Sequence, residues 1–360
     1  MESLDHWIER QYRQAMAAML PSLSPVGVTK HRPGFGQTVV PKKGSIVASP
    51  VLAAYDPDPD YFFHWFRDSA VVIDAVRLLR ADGSLEAARA LEYFRDFVHF
   101  SLSLLTLDGR TLADSPGWRM GVTADFAKFV RPNEELAAVR GQLVSAEARV
   151  NPDGTLDISR WARPQHDGPP LRLLAVLRWL REVGLDPELA EAAAALVRTD
   201  LAFIRGCWRT PSVDIWEEEK GHHYYTLRIG AAALEEGAAW LESQRGAEDL
   251  EDARGCRADS QAIARMLDGY WLPEEGYYRS RVLEGGARSI KELDIAVIFA
   301  AIHAEERGGG AHTVHDPRML ATLTRLEELF ASEYPINQSR PPGEGPAMGR
   351  YKGDVYYSGG

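Results

Sequence analysis

Apolar residues recur at helical spacing in stretch after stretch of this 360-residue chain, and that repetition constrains the fold more than any other feature. Residues 3–20 place Trp7, Ile8, Tyr12, Met16 and Met19 on one face, with Ser3 available as a cap. A second helix follows Asp68 and Ser69, carries Val71, Val72, Ala75, Leu78 and Leu79, and stops at Asp82-Gly83. Ser84 can cap a third, in which Leu85, Ala88, Leu91, Phe94, Val98 and Leu102 share a face. The same pattern predicts helices over 169–183, 187–206, 227–243, 258–268, 290–304 and 317–333. Two of these starts are marked by Asp186-Pro187 and Asp316-Pro317, a cap followed by proline at the first helical position. A short hairpin is predicted from Gly276 through Val282, and residues 107–165 read as a long irregular connection with one helix within 133–148. The fold class is therefore all-α, with long loops between helices. Loops of that length in a compact domain tend to carry function. Gly308 to Gly310 and Arg340 to Gly345 read as ordinary loops, so a single domain over 1–360 is expected.

Charge narrows the partners. Lys and Arg number 41 against 52 Asp and Glu, a formal charge of −11, so no basic excess exists to neutralise a phosphate backbone or an anionic membrane. Nucleic acid is not expected as a partner. No apolar run approaches the roughly 18 residues that span a bilayer. The start, MESLDHWIERQYRQAM, lacks the apolar core of a signal peptide, which leads to the expectation of a cytoplasmic protein. Cys207 and Cys256 are too few for a disulfide scaffold or a zinc cage, though a single bond between them stays open.

Chemistry gathers in four loop segments rich in aromatic and charged residues. They are D-P-D-Y-F-F-H-W-F-R-D-S with Tyr61, Trp65, Arg67 and Asp68; R-W-A-R-P-Q-H-D-G-P with Trp161, Arg163, Gln165 and Asp167; V-D-I-W-E-E-E with Asp214, Trp216, Glu217 and Glu218; and G-R-Y-K-G-D-V-Y-Y with Arg350, Tyr351, Asp354, Tyr356 and Tyr357. Taken singly, each has a plainer use. Arg67-Asp68 serves as a helix cap with an adjacent ion pair, Asp167-Gly168-Pro169 as a turn into a helix, and Glu217 to Glu219 as a solvated charge run. Trp216 argues against the last, because an apolar ring beside a carboxyl group disfavours the charged form, as a general acid requires. Together, rings and charged groups of this kind suit a sugar site. His222-His223 has no acidic or histidine partner at ligand spacing, so neither metal nor cofactor is expected.

In order along the chain, the four segments resemble those of the glucoamylase family, glycoside hydrolase family 15. D-Y-F-F-H-W-F-R-D-S is similar to that family's Y-F-Y-x-W-x-R-D-S, W-A-R-P-Q-H-D-G-P to its W-G-R-P-Q-R-D-G-P, D-I-W-E-E to its D-L-W-E-E, and G-R-Y-K-G-D-V-Y-Y to its G-R-Y-P-E-D-x-Y-Y. The resemblance implies an (α/α)6 barrel, a six-hairpin toroid, and release of β-glucose with inversion from non-reducing ends of α-glucans such as starch and maltooligosaccharides. It implies that Glu217 is the general acid and that Glu218 holds sugar on the leaving-group side. Arg67, Asp68 and Arg350 would bind hydroxyls of the terminal glucose, and Tyr61, Trp65, Trp161, Trp216 and Tyr356 would wall the pocket. Ala162, His166 and Lys352-Gly353 depart from the family pattern, so preference among α-1,4, α-1,6 and trehalose linkages stays open.

An inverting glycosidase needs two carboxyl groups about 6.5–9.5 Å apart. In the family, the second lies downstream of the G-R-Y segment, and it has no counterpart before Gly360. The expectation is thus a barrel incomplete at its C-terminal end, lacking its closing helices and its base. Such a ring would be open, with the apolar faces of its first and last helices exposed. A fragment, a split enzyme with a complementing C-terminal segment, and a non-catalytic glucan-binding or regulatory relative all remain open.

Overall fold

The computed structural model describes residues 3–53, 59–304, 310–341 and 343–354. The chain forms two compact bodies, one of Met1–Trp161 with Ala175–Phe203, the other of Ala162–Leu174 with Ile204–Gly360. Helices dominate both, as the periodicity predicts.

In the first body, α1 (Leu4–Met19) begins at Ser3, whose hydroxyl accepts the His6 N–H at 3.3 Å. It buries none of its residues, leaving Trp7 and Ile8 about half exposed. α2 (Phe66–Ala81) starts earlier than the sequence predicts, so Arg67 and Asp68 sit in its first turn and Trp65 takes the N-cap position. α3 (Ala87–Leu104) is capped not by Ser84 but by Glu86, whose carboxylate accepts from Ala88 and Arg89 N–H at 2.9 Å each. Ser84 instead donates its N–H to Asp82 and belongs to the turn that ends α2. The long connection yields α4 (Gly109–Ala113), α5 (Asn133–Ala138) and a 3-10 turn at Gly141–Ala146, in place of one helix. The first body also holds two small antiparallel pairs: β1 (Lys30–Arg32) with β2 (Gln37–Val39), and β3 (His64–Trp65) with β4 (Arg149–Val150).

α6 (Gly168–Glu182) and α7 (Pro187–Cys207) follow, α7 beginning at the predicted proline with Asp186 accepting the Leu189 N–H. In the first body, Trp179 stacks on Phe94 with centroids 4.5 Å apart, and its indole donates to the Ile73 carbonyl at 3.1 Å. Beside that core, Asp74 bridges Arg77 at 2.7 Å and Arg178 at 2.5 Å.

In the second body, α8 (Tyr224–Gln244) is buried on several sides, from Tyr224 and Leu227 to Ala233 and Leu241. Its run of alanines and Gly230 lets neighbours approach closely. α9 (Ala247–Asp268) packs against it through one stripe of Ala253, Cys256, Ile263 and Leu267. It begins eleven residues before the predicted start, because its first half is too acidic to show an apolar pattern. α10 (Ala296–Ala304) is shorter than predicted, since Asp294 takes the Ala296 N–H and starts the helix there. α11 (Pro317–Glu333) matches the prediction, capped by Asp316. The expected hairpin is absent. β8 (Tyr277–Tyr278) pairs with β7 (Trp271–Leu272), while β9 (Arg281–Leu283) joins a sheet ordered β5 (Ser212–Val213), β6 (Lys220–His223), β9. The two cysteines are free thiols, which closes the question of a bond between them.

Trp179 carries both the stacking and the indole hydrogen bond, with none of its surface exposed. Trp179→Ala is expected to cost about 3–5 kcal/mol, read from the shift in a urea denaturation midpoint. A loss under about 1 kcal/mol would show that this core collapses onto the vacancy.

Candidate functional site

The segment V-D-I-W-E-E-E folds into a closed turn between β5 and β6. Asp214 organises it: its N–H donates to the Glu219 carbonyl at 3.1 Å and its carbonyl accepts the Glu217 N–H at 2.9 Å. Its carboxylate accepts the N–H groups of Glu218 and Glu219 at 2.7 and 3.2 Å. Closing the turn forces Glu217 into the left-handed region at φ 64°, uncommon for a residue with a side chain. Such strain persists only where the surroundings over-determine it.

The surroundings are ionic. Arg281 on β9, almost wholly buried, donates through Nη1 to Asp214 and Glu219 at 2.8 Å each and through Nη2 to Asp294. Ser289 adds a hydrogen bond to Glu219. Close approach of β6 to β9 requires Gly221, where a Cβ would lie 2.5 Å from the Val282 carbonyl oxygen. Burial pushes the Asp294 carboxyl up to about 6, although Arg281 opposes the shift.

Glu218 lies among cations. Lys291 Nζ is 2.6 Å from its carboxylate, Arg350 Nη1 is 3.2 Å away, and the Tyr351 hydroxyl donates to it. Burial works against ionisation, but the bonds from Lys291 and Tyr351 and the charge of Arg350 hold this carboxyl below its usual range. Arg350 is itself gripped by Asp354 and lies 5.3 Å from the centre of the Trp216 ring. The R-P-Q-H-D-G stretch joins the same turn: Gln165 donates to the Asp214 carbonyl at 3.2 Å, and Val213 N–H donates to the Pro164 carbonyl. His166 there is held down to about 4 by burial, with the nearby His222 and Lys220 acting in the same direction.

The first body carries the other aromatic set. Tyr61 meets Trp65 edge-on at 5.7 Å, and Trp65 meets Trp161 at 6.0 Å. Behind them, buried Arg149 lies 3.7 Å from the centre of the Trp161 ring and 4.0 Å from that of Phe63, and is fixed by Asp157 at 2.8 Å. Arg67 and Asp68 form an ion pair at 3.4 Å but do not cap a helix.

Trp216, Glu218 and Arg350 are thus brought together in one body, and Tyr61, Trp65 and Trp161 in the other. Tyr356 lies outside the described residues. Sequence reasoning missed Arg149, Asp157, Arg281, Lys291 and Asp294, which hold these groups from behind. Each is a charged residue whose partner lies at no fixed spacing from it in the sequence. Among the described residues no cluster of three or more His, Cys, Asp or Glu is placed to hold a metal ion. No helix among the described residues is long and apolar enough to cross a membrane.

Residues 36–360 match the family model of glycosyl hydrolases family 15. The chain is 28% identical to glucoamylase S1 of Saccharomyces cerevisiae, over 98% of this chain and 43% of that protein. It is 28% identical to the intracellular sporulation-specific glucoamylase of the same species, covering 60% of it. A probable glucoamylase of Schizosaccharomyces pombe is 29% identical and 66% covered. The chain therefore spans from 43% to 66% of the length of these relatives. Among solved structures, a family 15 glucoamylase from Hypocrea jecorina superposes with a TM-score of 0.74 at 22% identity, over 99% of this chain and 53% of that one. The glucoamylase from Saccharomycopsis fibuligera gives 0.71 at 22%, over 99% and 69%. These likenesses show an (α/α)6-type, all-α fold.

His166 generates a pH prediction. Its folded value of about 4 lies below the ordinary 6.5, so the unfolded chain takes up its proton first as pH falls. Stability is complete above about 6.5 and is lost as pH drops towards 4. Buried His223, also held near 4, acts the same way, whereas Asp294, raised to about 6, acts oppositely. His166→Gln should shrink the fall in unfolding free energy between pH 7 and 4.5 by on the order of 2 kcal/mol. Denaturant titrations at both pH values read it, and an unchanged fall would remove His166 as a cause.

Proposed function

The chain belongs to glycosyl hydrolases family 15, and on that premise we propose that it acts as a glucoamylase-type glycosidase, releasing β-glucose with inversion from non-reducing ends of α-glucans. The observation that carries the reading is the Glu217 turn: a strained acidic residue, beside an indole, with Glu218, Lys291 and Arg350 adjoining. Family membership alone would be satisfied by a degenerate copy of that turn. Here the carboxylates of Asp214, Glu218 and Glu219 each have defined partners around it.

In this reading Glu217 donates its proton to the departing glycosidic oxygen. The bond between that oxygen and the anomeric carbon breaks, a water attacks from the opposite face, and its proton passes to a second carboxylate. Glu218, kept ionised by Lys291, Tyr351 and Arg350, accepts hydrogen bonds from hydroxyls on the leaving-group side. Arg350 in the second body and the Arg67-Asp68 pair in the first are each suited to sugar hydroxyls, where charge-assisted bonds supply direction as well as strength. Trp216 in the second body is suited to cover an apolar sugar face, as is the set of Tyr61, Trp65 and Trp161 in the first. The reading assigns the second carboxylate to a complementing segment outside these 360 residues. It places the protein in the cytoplasm, where the free thiols Cys207 and Cys256 persist.

The test is glucose release from maltose, isomaltose, trehalose and soluble starch, with the anomer read polarimetrically. Residues 1–360 alone are expected to bind maltooligosaccharide with negligible turnover, because general-base assistance is worth about 10²–10⁴-fold. Extension by the complementing segment should restore β-glucose release, and Glu217→Gln should then abolish about 10²–10⁴-fold of it. Full activity in the Glu217→Gln variant would end the assignment of the acid. Binding without turnover under every extension would leave a glucan-binding module instead.

A further inference from the structure

Asp294 is wholly buried, yet it is absent from the four loop segments that carry the sugar chemistry. Three separate donors converge on its carboxylate. The Trp216 indole N–H lies 3.1 and 3.0 Å from its two oxygens, the Ala296 N–H donates to Oδ1 at 2.8 Å, and Arg281 Nη2 donates to Oδ2. The same Arg281 grips Asp214 and Glu219, the two ends of the turn that bears Glu217. On the backbone side, Asp294 forms a bridge with Tyr351, and the Ile295 N–H donates to the Arg350 carbonyl at 2.9 Å. One residue therefore joins the indole preceding the acid, the clamp beneath the acid's turn, and the segment that presents Arg350.

We infer that Asp294 is a positioning residue for the general acid, acting through the Trp216 indole and the Arg281 clamp to hold Glu217 in its left-handed conformation. The inference rests on Glu217 being the acid. Only a carboxylate serves here: all three groups facing it are donors, and an acceptor-only side chain satisfies them without a donor of its own pointing at another. Asparagine, of the same shape, must turn its NH2 towards the guanidinium, the indole N–H or the Ala296 N–H. The ring of Trp216 then loses one of its anchors, and Trp216 is joined directly to Glu217 through their shared peptide bond.

The test separates this role from general stability and from turnover. Amide exchange followed by mass spectrometry on the 360-residue chain should show about tenfold faster exchange at 214–219 in Asp294→Asn, with α8 amides unchanged. Trp216→Phe keeps an aromatic ring, removes the indole donor, and serves if Asp294→Asn does not fold; it should loosen the same amides. The double variant should exchange no faster there than the looser single variant, because both act through one bond. Where turnover is measured with the complementing segment, Asp294→Asn should lower kcat by about 10–100-fold with KM within threefold, the cost of misplacing a catalytic group. Unchanged exchange at 214–219 in a folded Asp294→Asn or Trp216→Phe chain overturns the inference. So do additive effects, or a loss carried wholly by KM. Should neither the chain nor its extended form hydrolyse any glucan, the proposed activity fails, and amide exchange still decides whether Asp294 holds the turn.

Discussion

A single buried guanidinium, Arg281, is the constraint on which the second body's chemistry depends. It faces Asp214, Glu219 and Asp294, three carboxylates around one cation. Ion pairs of this kind repay the desolvation of their members only when further hydrogen bonds satisfy what the pairing leaves over. Here they do. Asp214 takes two backbone N–H groups, Glu219 takes the Ser289 hydroxyl, and Asp294 takes an indole and a backbone N–H. Burial displaces the Asp294 carboxyl to about 6 despite the adjacent arginine, and the charge of Asp214 adds to the shift. Removing the cation would leave three carboxylates facing one another in a poorly solvated space, with only the hydrogen bonds of Asp214 to hold the turn bearing Glu217 closed.

The first body solves a related problem in the same way. Arg32 is buried between Asp60, Asn151 and the Phe62 carbonyl, and Arg149 between Asp157 and the faces of Phe63 and Trp161. Each guanidinium is planar, so it fills the space behind an aromatic ring while its edge meets a carboxylate. A lysine would supply charge without that flat face. Aromatic residues on short loops are thereby given fixed orientations that loop backbone alone does not provide.

What was legible in the sequence follows from how far each determinant reaches. Asp186-Pro187 and Asp316-Pro317 mark helix starts correctly because cap and helix lie within a few residues of each other. The pattern fails at α9, whose buried stripe is only Ala253, Cys256, Ile263 and Leu267 amid acids and arginines. It also fails at the expected hairpin: β8 pairs locally with β7, just upstream of the predicted turn, while β9 pairs with β6 about 60 residues away, where no local signature exists. Trp216, Glu217, Glu218 and Arg350 were visible as motifs. Their supports were not: Trp216 and Asp294 are separated by 78 residues, and Asp214 and Arg281 by 67. A motif records which groups touch a ligand, whereas the groups that aim them are chosen by the tertiary fold.

The placement of Glu218, one residue after the strained Glu217, shows what that aiming achieves. Glu217 and Glu218 are adjacent in sequence, and on a regular strand or helix their side chains would point in unrelated directions fixed by the element. In the closed turn, the positive φ of Glu217 changes the course of the backbone between them, and Glu218 is delivered to Lys291, Arg350 and Tyr351. Those partners keep Glu218 charged, so it accepts hydrogen bonds but does not compete to donate a proton. The clamp of Arg281 is therefore more than a staple: by keeping the turn closed it delivers Glu218 to its cationic partners.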